Sequence, residues 1–184
     1  MLNFKKIIRS DKVILRPIEL YDYDEMKELT KDSSMWYYFT ADLSEKKILK
    51  HWIEIAVEEL KEQKSLAFTI IDIKTNRIIG TTRISNLSKI NCRVEIGWTW
   101  IAKEYQGTGI NGHVKKLLFE YLFKETETLR IEFKTDVLNI PARKGMKKVG
   151  LVEEGILRSH TLMINNRRRD TMYYSILKNE WMEE

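Results

Sequence analysis

Two periods alternate along the chain and divide it into helices and strands. Ile48, Leu49, Trp52, Ile53, Ala56, Val57 and Leu60 recur at three- and four-residue spacing, which predicts a helix from Ser44–Glu45 to about Gln63. The same spacing in Ile110, Val114, Leu117, Leu118, Tyr121 and Leu122 predicts a second long helix. Between and around these, β-rich stretches fall at Lys12–Pro17, Ser65–Ile73, Arg77–Ser85, Arg93–Ile101 and Arg130–Val137, and a closing hairpin at Leu151–Thr161 and Asp170–Leu177. Asp22 is the expected N-cap of a short helix to about Thr30, and Asn139 that of another, to Lys148, stopped by Gly150. Lys74-Thr75-Asn76 reads as a hairpin turn. A meander followed by one strand–helix–strand crossover predicts an α+β domain: a mixed, mostly antiparallel central sheet with flanking helices, its one parallel pair made by Arg93–Ile101 and Arg130–Val137.

Lys31–Leu43 breaks both periods. It holds Met35-Trp36-Tyr37-Tyr38-Phe39, and so many large apolar side chains in one loop need cover, from the core or from a ligand.

Length and composition narrow the class. A chain of 184 residues forms one domain, 1–184, with one core. Without eighteen consecutive apolar residues nothing spans a membrane, and Met1–Arg9 has no secretory pattern. A lone cysteine, Cys92, suits a reducing, cytoplasmic setting. The net charge of +5 favours an acidic ligand. The basic residues are interspersed with 27 acidic ones, and the one dense run, Arg167-Arg168-Arg169, reads as a solvated loop, so nucleic acid ranks behind a small anionic partner. Three scattered histidines show no metal-ligand spacing; His51 reads as a surface residue and His113 as a bystander facing solvent or a ligand of the loop before its helix.

The informative stretch is Trp98–Asn111. Gly107 and Gly109 flank Thr108 immediately before the second long helix, where backbone N–H groups and the positive dipole end point outward. Glycines there let the backbone close on a pyrophosphate. Gly107-x-Gly109-x-x-Gly112 also spells a dinucleotide fingerprint, with Asp136 as its ribose acid. That fold needs the strand to run straight into the first glycine and several such units to follow; here Lys103–Gln106 intervene and one unit follows.

Gln106-Gly107-Thr108-Gly109-Ile110-Asn111 resembles the Q/R-x-x-G-x-G/A acyl-CoA loop of the GNAT superfamily of N-acetyltransferases, with Asn111 departing at the last position. Glu95-Ile96-Gly97-Trp98, Asp136–Asn139 and Gly150–Gly155 are similar to motifs of the branch containing the ribosomal-protein N-terminal alanine acetyltransferases. The resemblance implies the acyl-CoA N-acyltransferase fold, acetyl-CoA as cosubstrate, and an amine acceptor such as a ribosomal protein N-terminus. It leaves a homodimer open. It implies a cofactor site of Gln106, Gly107, Thr108, Gly109, Ile110 and Asn111, with backbone groups of Trp100 and Ile101 on the pantetheine arm and Asn139 opposite. It also makes the aromatic loop a wall of the acceptor groove.

Glu95, on the strand that meets the cofactor, is the first candidate for a base acting through water, and His160 the second. Many relatives carry a tyrosine or serine as acid where this chain has Met146 and Ala142, which leaves water, Tyr173 or Tyr174. At pH 7 an α-amine is roughly 14% neutral and a lysine about 0.04%, which favours an N-terminal acceptor where no strong base is evident. The alternatives are a small-molecule amine (polyamine or antibiotic) and a non-catalytic acyl-CoA-binding protein of this fold. Without a Ser-His-acid pattern the expected route is direct transfer in a ternary complex.

Overall fold

The structure, a computed structural model, describes residues 2–182. Among the described residues eight strands form one sheet. In chain order the elements are β1 (Ile8–Arg9), β2 (Val13–Pro17), α1 (Tyr23–Leu29), α2 (Lys46–Lys61), β3 (Leu66–Asp72), β4 (Arg77–Ser88) and β5 (Arg93–Ile101). They continue with α3 (Ile110–Glu125), β6 (Arg130–Asp136), α4 (Ile140–Lys147), β7 (Val152–Leu162), β8 (Arg168–Leu177) and α5 (Lys178–Met182). Strand order is β1-β2-β3-β4-β5-β6-β8-β7, and only β5–β6 is parallel, joined through α3. No helix among the described residues is long and apolar enough to cross a membrane.

Period-two alternation sends neighbouring residues of each central strand to opposite faces. Phe68, Ile70, Ile84, Ile96, Ile131 and Phe133 meet Val114, Leu118, Phe119 and Leu122 of α3. On the other face Ala67, Ile78 and Trp100 meet Leu49, Ile53 and Ala56 of α2 and Met26 of α1. Removing each large side chain from water contributes about 1.5–3 kcal/mol, so the helices are held by these two layers rather than by their own propensity.

The expected elements are present, with ends shifted by a few residues. Two elements had no advance signal: β1, two residues long, and α5, too short to show a period. Asp22 differs in role. Its side chain makes no cap bond to α1. It is buried and accepts from both terminal nitrogens of Arg16, from Thr69 Oγ1 and from the Glu19 N–H, because a carboxylate at 1% exposure needs full compensation. The aromatic loop divides its labour. Trp36 is fully buried, donates Nε1–H to the Thr30 carbonyl and packs edge-on against Phe39 and Trp100, whereas Tyr37 lies open on the surface.

Candidate active site

The site begins where β5 and β6 part. Their parallel ladder pairs Arg93, Val94 and Glu95 with Arg130, Ile131 and Glu132 and ends there, while β5 continues to Ile101 and β6 to Asp136. The cause lies within β5. Trp98 takes φ = 51°, and the β4 partners step from Gly97 to Trp100 across a bulge, which bends β5 away from β6. Beyond Glu95 the sheet therefore opens as a fork.

On one arm of the fork are Trp100 and Ile101, whose side chains are buried in opposite cores and whose backbones still pair with Thr81 and Gly80 of β4. A 3-10 turn, Lys103–Tyr105, then leads into the glycine turn. Gln106 Nε2 donates to the Ile101 carbonyl at 2.9 Å, tying turn to strand. Gly107 and Gly109 take φ of 76° and 88°, and a Cβ on either would meet no atom within 4 Å. Glycine is needed there for the backbone conformation, and the space in front of the turn is open. Thr108 Oγ1 donates to the Tyr105 carbonyl and receives the Ile110 N–H, so the turn is held from within before α3 begins. Asn111, one turn before Lys115, accepts from its ammonium. Lys115 is buried, and burial alone pushes its pKa down to about 8. On the other arm, beyond β6, Asn139 caps α4 by accepting the Ala142 N–H at 3.2 Å.

At the crotch of the fork Glu95 is 5% exposed. Its Oε2 accepts from Asn86 Nδ2 and from Lys134 Nζ, each at 2.7 Å. Burial pulls the Lys134 ammonium down, but its bonds to Glu95 and Tyr173 more than restore it, and its pKa lies above the ordinary lysine value. Lys134 also sits 5.1 Å above the Tyr173 ring, and His160 meets that ring edge-on at 6.0 Å. The His160 Nδ1 contacts Thr171 Oγ1 and Thr161 Oγ1, each at 3.1 Å. The two residues singled out as bases thus share one face of the sheet, joined through Lys134 and Tyr173.

Of the two tyrosines considered as acids, Tyr173 lies on this face. Tyr174 faces away, where it donates to Glu153 and receives Arg143 Nε–H. Lys134 and Asn86 were not singled out by sequence. The alternation of Arg130, Glu132 and Lys134 in β6 was the available signal, since it puts Lys134 on the Glu95 face. The arginine run is not the solvated loop expected. Arg167 bonds buried Asp136 and stacks 5.1 Å over Tyr37, and Arg169 bonds Thr171 and Thr161; Arg168 alone of the three is exposed. His51 and His113 stay outside the fork: His51 is exposed, and His113 Nε2 meets Ser10 Oγ at 3.0 Å.

The sequence matches the family described as acetyltransferase (GNAT) domain over residues 12–152. It is 28% identical over 184 residues to the Bacillus subtilis (strain 168) protein named "Putative ribosomal N-acetyltransferase YdaF", spanning 95% of this chain and 96% of that one. It is 27% identical over 174 residues to "Uncharacterized N-acetyltransferase YnaD" of the same organism, spanning 95% and 98%. A GCN5-related N-acetyltransferase from Brucella melitensis shares the fold with a TM-score of 0.87 at 22% identity, over 97% of this chain and 81% of that one. A ribosomal-protein-S5-alanine acetyltransferase from Vibrio fischeri does so with a TM-score of 0.80 at 20% identity, over 96% and 98%. With the family match extending over more than half of its length, the chain belongs to the GNAT family of N-acetyltransferases.

Proposed function

We propose that this enzyme transfers the acetyl group of acetyl-CoA directly to a primary amine, and that the amine is the α-amino group of a protein or peptide N-terminus. The observation that carries the first half is the fork: two strands part at Glu95, and one arm leads through a 3-10 turn into an open glycine turn at the start of α3. The turn fits a pyrophosphate, because Gly107 and Gly109 leave the space in front of the α3 N-terminus unfilled. Gln106 to Asn111 would hold the phosphates, with the Lys115 charge behind them. Backbone groups of Trp100 and Ile101 on one arm, and Asn139 on the other, would flank the pantetheine. When bound, acetyl-CoA supplies the acyl group to be transferred.

The remaining chemistry belongs to the residues at the crotch. A neutral amine enters from the α2 face, and as its nitrogen bonds to the acyl carbon the proton it gives up would pass through water to Glu95, whose carboxylate is held in place by Asn86 and Lys134. The Tyr173 hydroxyl, beside Lys134, is the proton donor on the same face. The N-terminal acceptor rests on proton arithmetic: an α-amine is roughly 14% neutral at pH 7, so an ion-paired carboxylate suffices as base. The ribosomal names of two relatives, one from Bacillus subtilis and one from Vibrio fischeri, support the same reading.

Calorimetric titration of acetyl-CoA into wild type and Gly109→Trp tests the cofactor half. The expected result is micromolar affinity in wild type and its loss in the variant, whose indole fills the turn. Peptides with free N-termini, assayed for an added acetyl group by mass spectrometry, then test the acceptor. Absence of acetyl-CoA binding in wild type overturns the reading.

A further inference from the structure

A second set of groups on the α2 face is built but unused. Arg83 of β4 is 4% exposed, and its guanidinium lies between two indoles, 5.0 Å from the Trp52 ring and 5.5 Å from the Trp98 ring. Nη1 donates to Glu59 Oε2 at 3.0 Å. Nε and Nη2 are buried and have no partner among the described residues, and the same holds for Ser85 Oγ, two residues along the strand on the same face. Burial draws the Arg83 pKa below the ordinary arginine value and Glu59 restores it only in part, so the cation is under-compensated. Glu59 is itself shared with Ser65 Oγ.

These groups border a hollow of about 630 Å³. Its walls are apolar at Trp52, Ile55 and Trp98, and Lys64 and Lys89 add positive charge against the single carboxylate of Glu59. The hollow adjoins the crotch of the fork through Asn86 and Ser85. Asn86 lines it and donates to Glu95, and Ser85 pairs across the sheet with Glu95.

We propose that the Nε–Nη2 edge of Arg83, together with Ser85 Oγ, is a carboxylate subsite for the amine acceptor, which selects acceptors bearing an acidic group close to the amine. The inference rests on the acetyltransferase reading above and names its substrate class. That edge of a guanidinium presents two parallel N–H donors at the spacing of two carboxylate oxygens. Ser85 supplies a third donor. A single negative charge suits the site better than a phosphate dianion, because Glu59 already occupies the other side of the guanidinium. Entry requires the Trp98 ring to swing off the guanidinium. That ring is the movable wall, since Trp98 is 37% exposed and stands on the bulge. The carboxylate source is either the acceptor's own α-carboxylate, as in a free amino acid, or an acidic side chain of a peptide.

The test uses matched acid and amide acceptors: free alanine against alaninamide, and peptides carrying Glu or Gln at positions two to four. Each is assayed for turnover and for quenching of tryptophan fluorescence in wild type, Ser85→Ala and Arg83→Gln. Ser85→Ala removes only a partnerless hydroxyl, so it keeps the test valid if Arg83→Gln fails to fold. The expected result is a preference of at least tenfold in kcat/KM for the acid member of one pair, with quenching by that member alone. Ser85→Ala should reduce the preference severalfold through KM at unchanged kcat, and acetyl-CoA affinity should not change. Preference for free alanine over alaninamide assigns the α-carboxylate source and a free amino acid in place of a peptide N-terminus, and preference at one peptide position assigns the side chain. Turnover with no distinction between acid and amide overturns the inference and leaves the acetyltransferase reading standing. Carboxylate-dependent quenching without turnover overturns that reading and keeps the subsite. Neither quenching nor turnover overturns both.

Discussion

Lys115, just behind the glycine turn in sequence, opposes the stability of the fold that holds it. Its ammonium is buried in the first turns of α3, where it donates to the Asn111 side chain, and burial lowers its pKa from near 10.5 to about 8. A folded-state value below the unfolded one means that the unfolded chain binds more protons between pH 8 and 10.5. Stability therefore rises across that window, and below pH 8 the full penalty of the buried charge is present. The shift corresponds to a penalty on the order of 3 kcal/mol. Lys115→Met should accordingly be more stable than wild type at pH 7 by about 1–3 kcal/mol in urea unfolding, an advantage that shrinks as pH rises from 8 to 10.5. A difference that stays constant over that range would show that burial of the charge is not its cause. On the function proposed above, the same variant binds acetyl-CoA more weakly, because the charge behind the glycine turn is gone.

At the scale of elements, the β4–β5 contact decides where the Trp100–Ile101 arm of the fork lies. Gly80 pairs with Ile101, and a Cβ on it would stand 2.2 Å from the Trp100 carbonyl oxygen and 3.1 Å from Ile101 Cα. Both are backbone atoms that no rotamer change relieves. Gly80→Ala should therefore push β5 outward at Trp100 and Ile101, costing about 2–3 kcal/mol in unfolding experiments. Acetyl-CoA affinity should fall with it, and an unchanged midpoint would show that β5 yields freely. The strands themselves were legible, because alternation in Arg93–Ile101 and Arg130–Asp136 is local and the parallel pairing follows from one helical crossover. The glycine turn was legible too, since positive φ at Gly107 and Gly109 is a property that only those residues supply cheaply. The fork was not. It depends on the register step opposite Gly97–Trp100 and on a tryptophan at positive φ, and neither is encoded in a window of sequence. Arg83 was hidden for a related reason: a charged residue alternating with apolar ones reads as solvent-facing until α2 is seen to cover that face.

Across the whole molecule, three segments far apart in sequence are strapped together at the Asp136 end of β6. Arg167, from the turn between β7 and β8, donates to buried Asp136 at the end of β6 and lies over Tyr37 of the aromatic loop. Tyr38 of the same loop donates its hydroxyl to the Leu138 carbonyl at 3.2 Å. Asp136 is 1% exposed and also receives the Leu138 N–H, so it needs the cation that the hairpin brings to it. Removing one member of such a pair leaves an uncompensated buried charge, whereas removing both does not. Arg167→Ala should thus destabilise the protein by about 3 kcal/mol, and Asp136→Asn combined with it should recover a good part of that loss. A double variant as unstable as the sum of the two single ones would mean that the strap is a surface contact of little weight. If the recovery is seen, hydrogen exchange in the 31–43 loop should quicken in Arg167→Ala along with that of the β7–β8 turn, because one guanidinium holds both against the sheet.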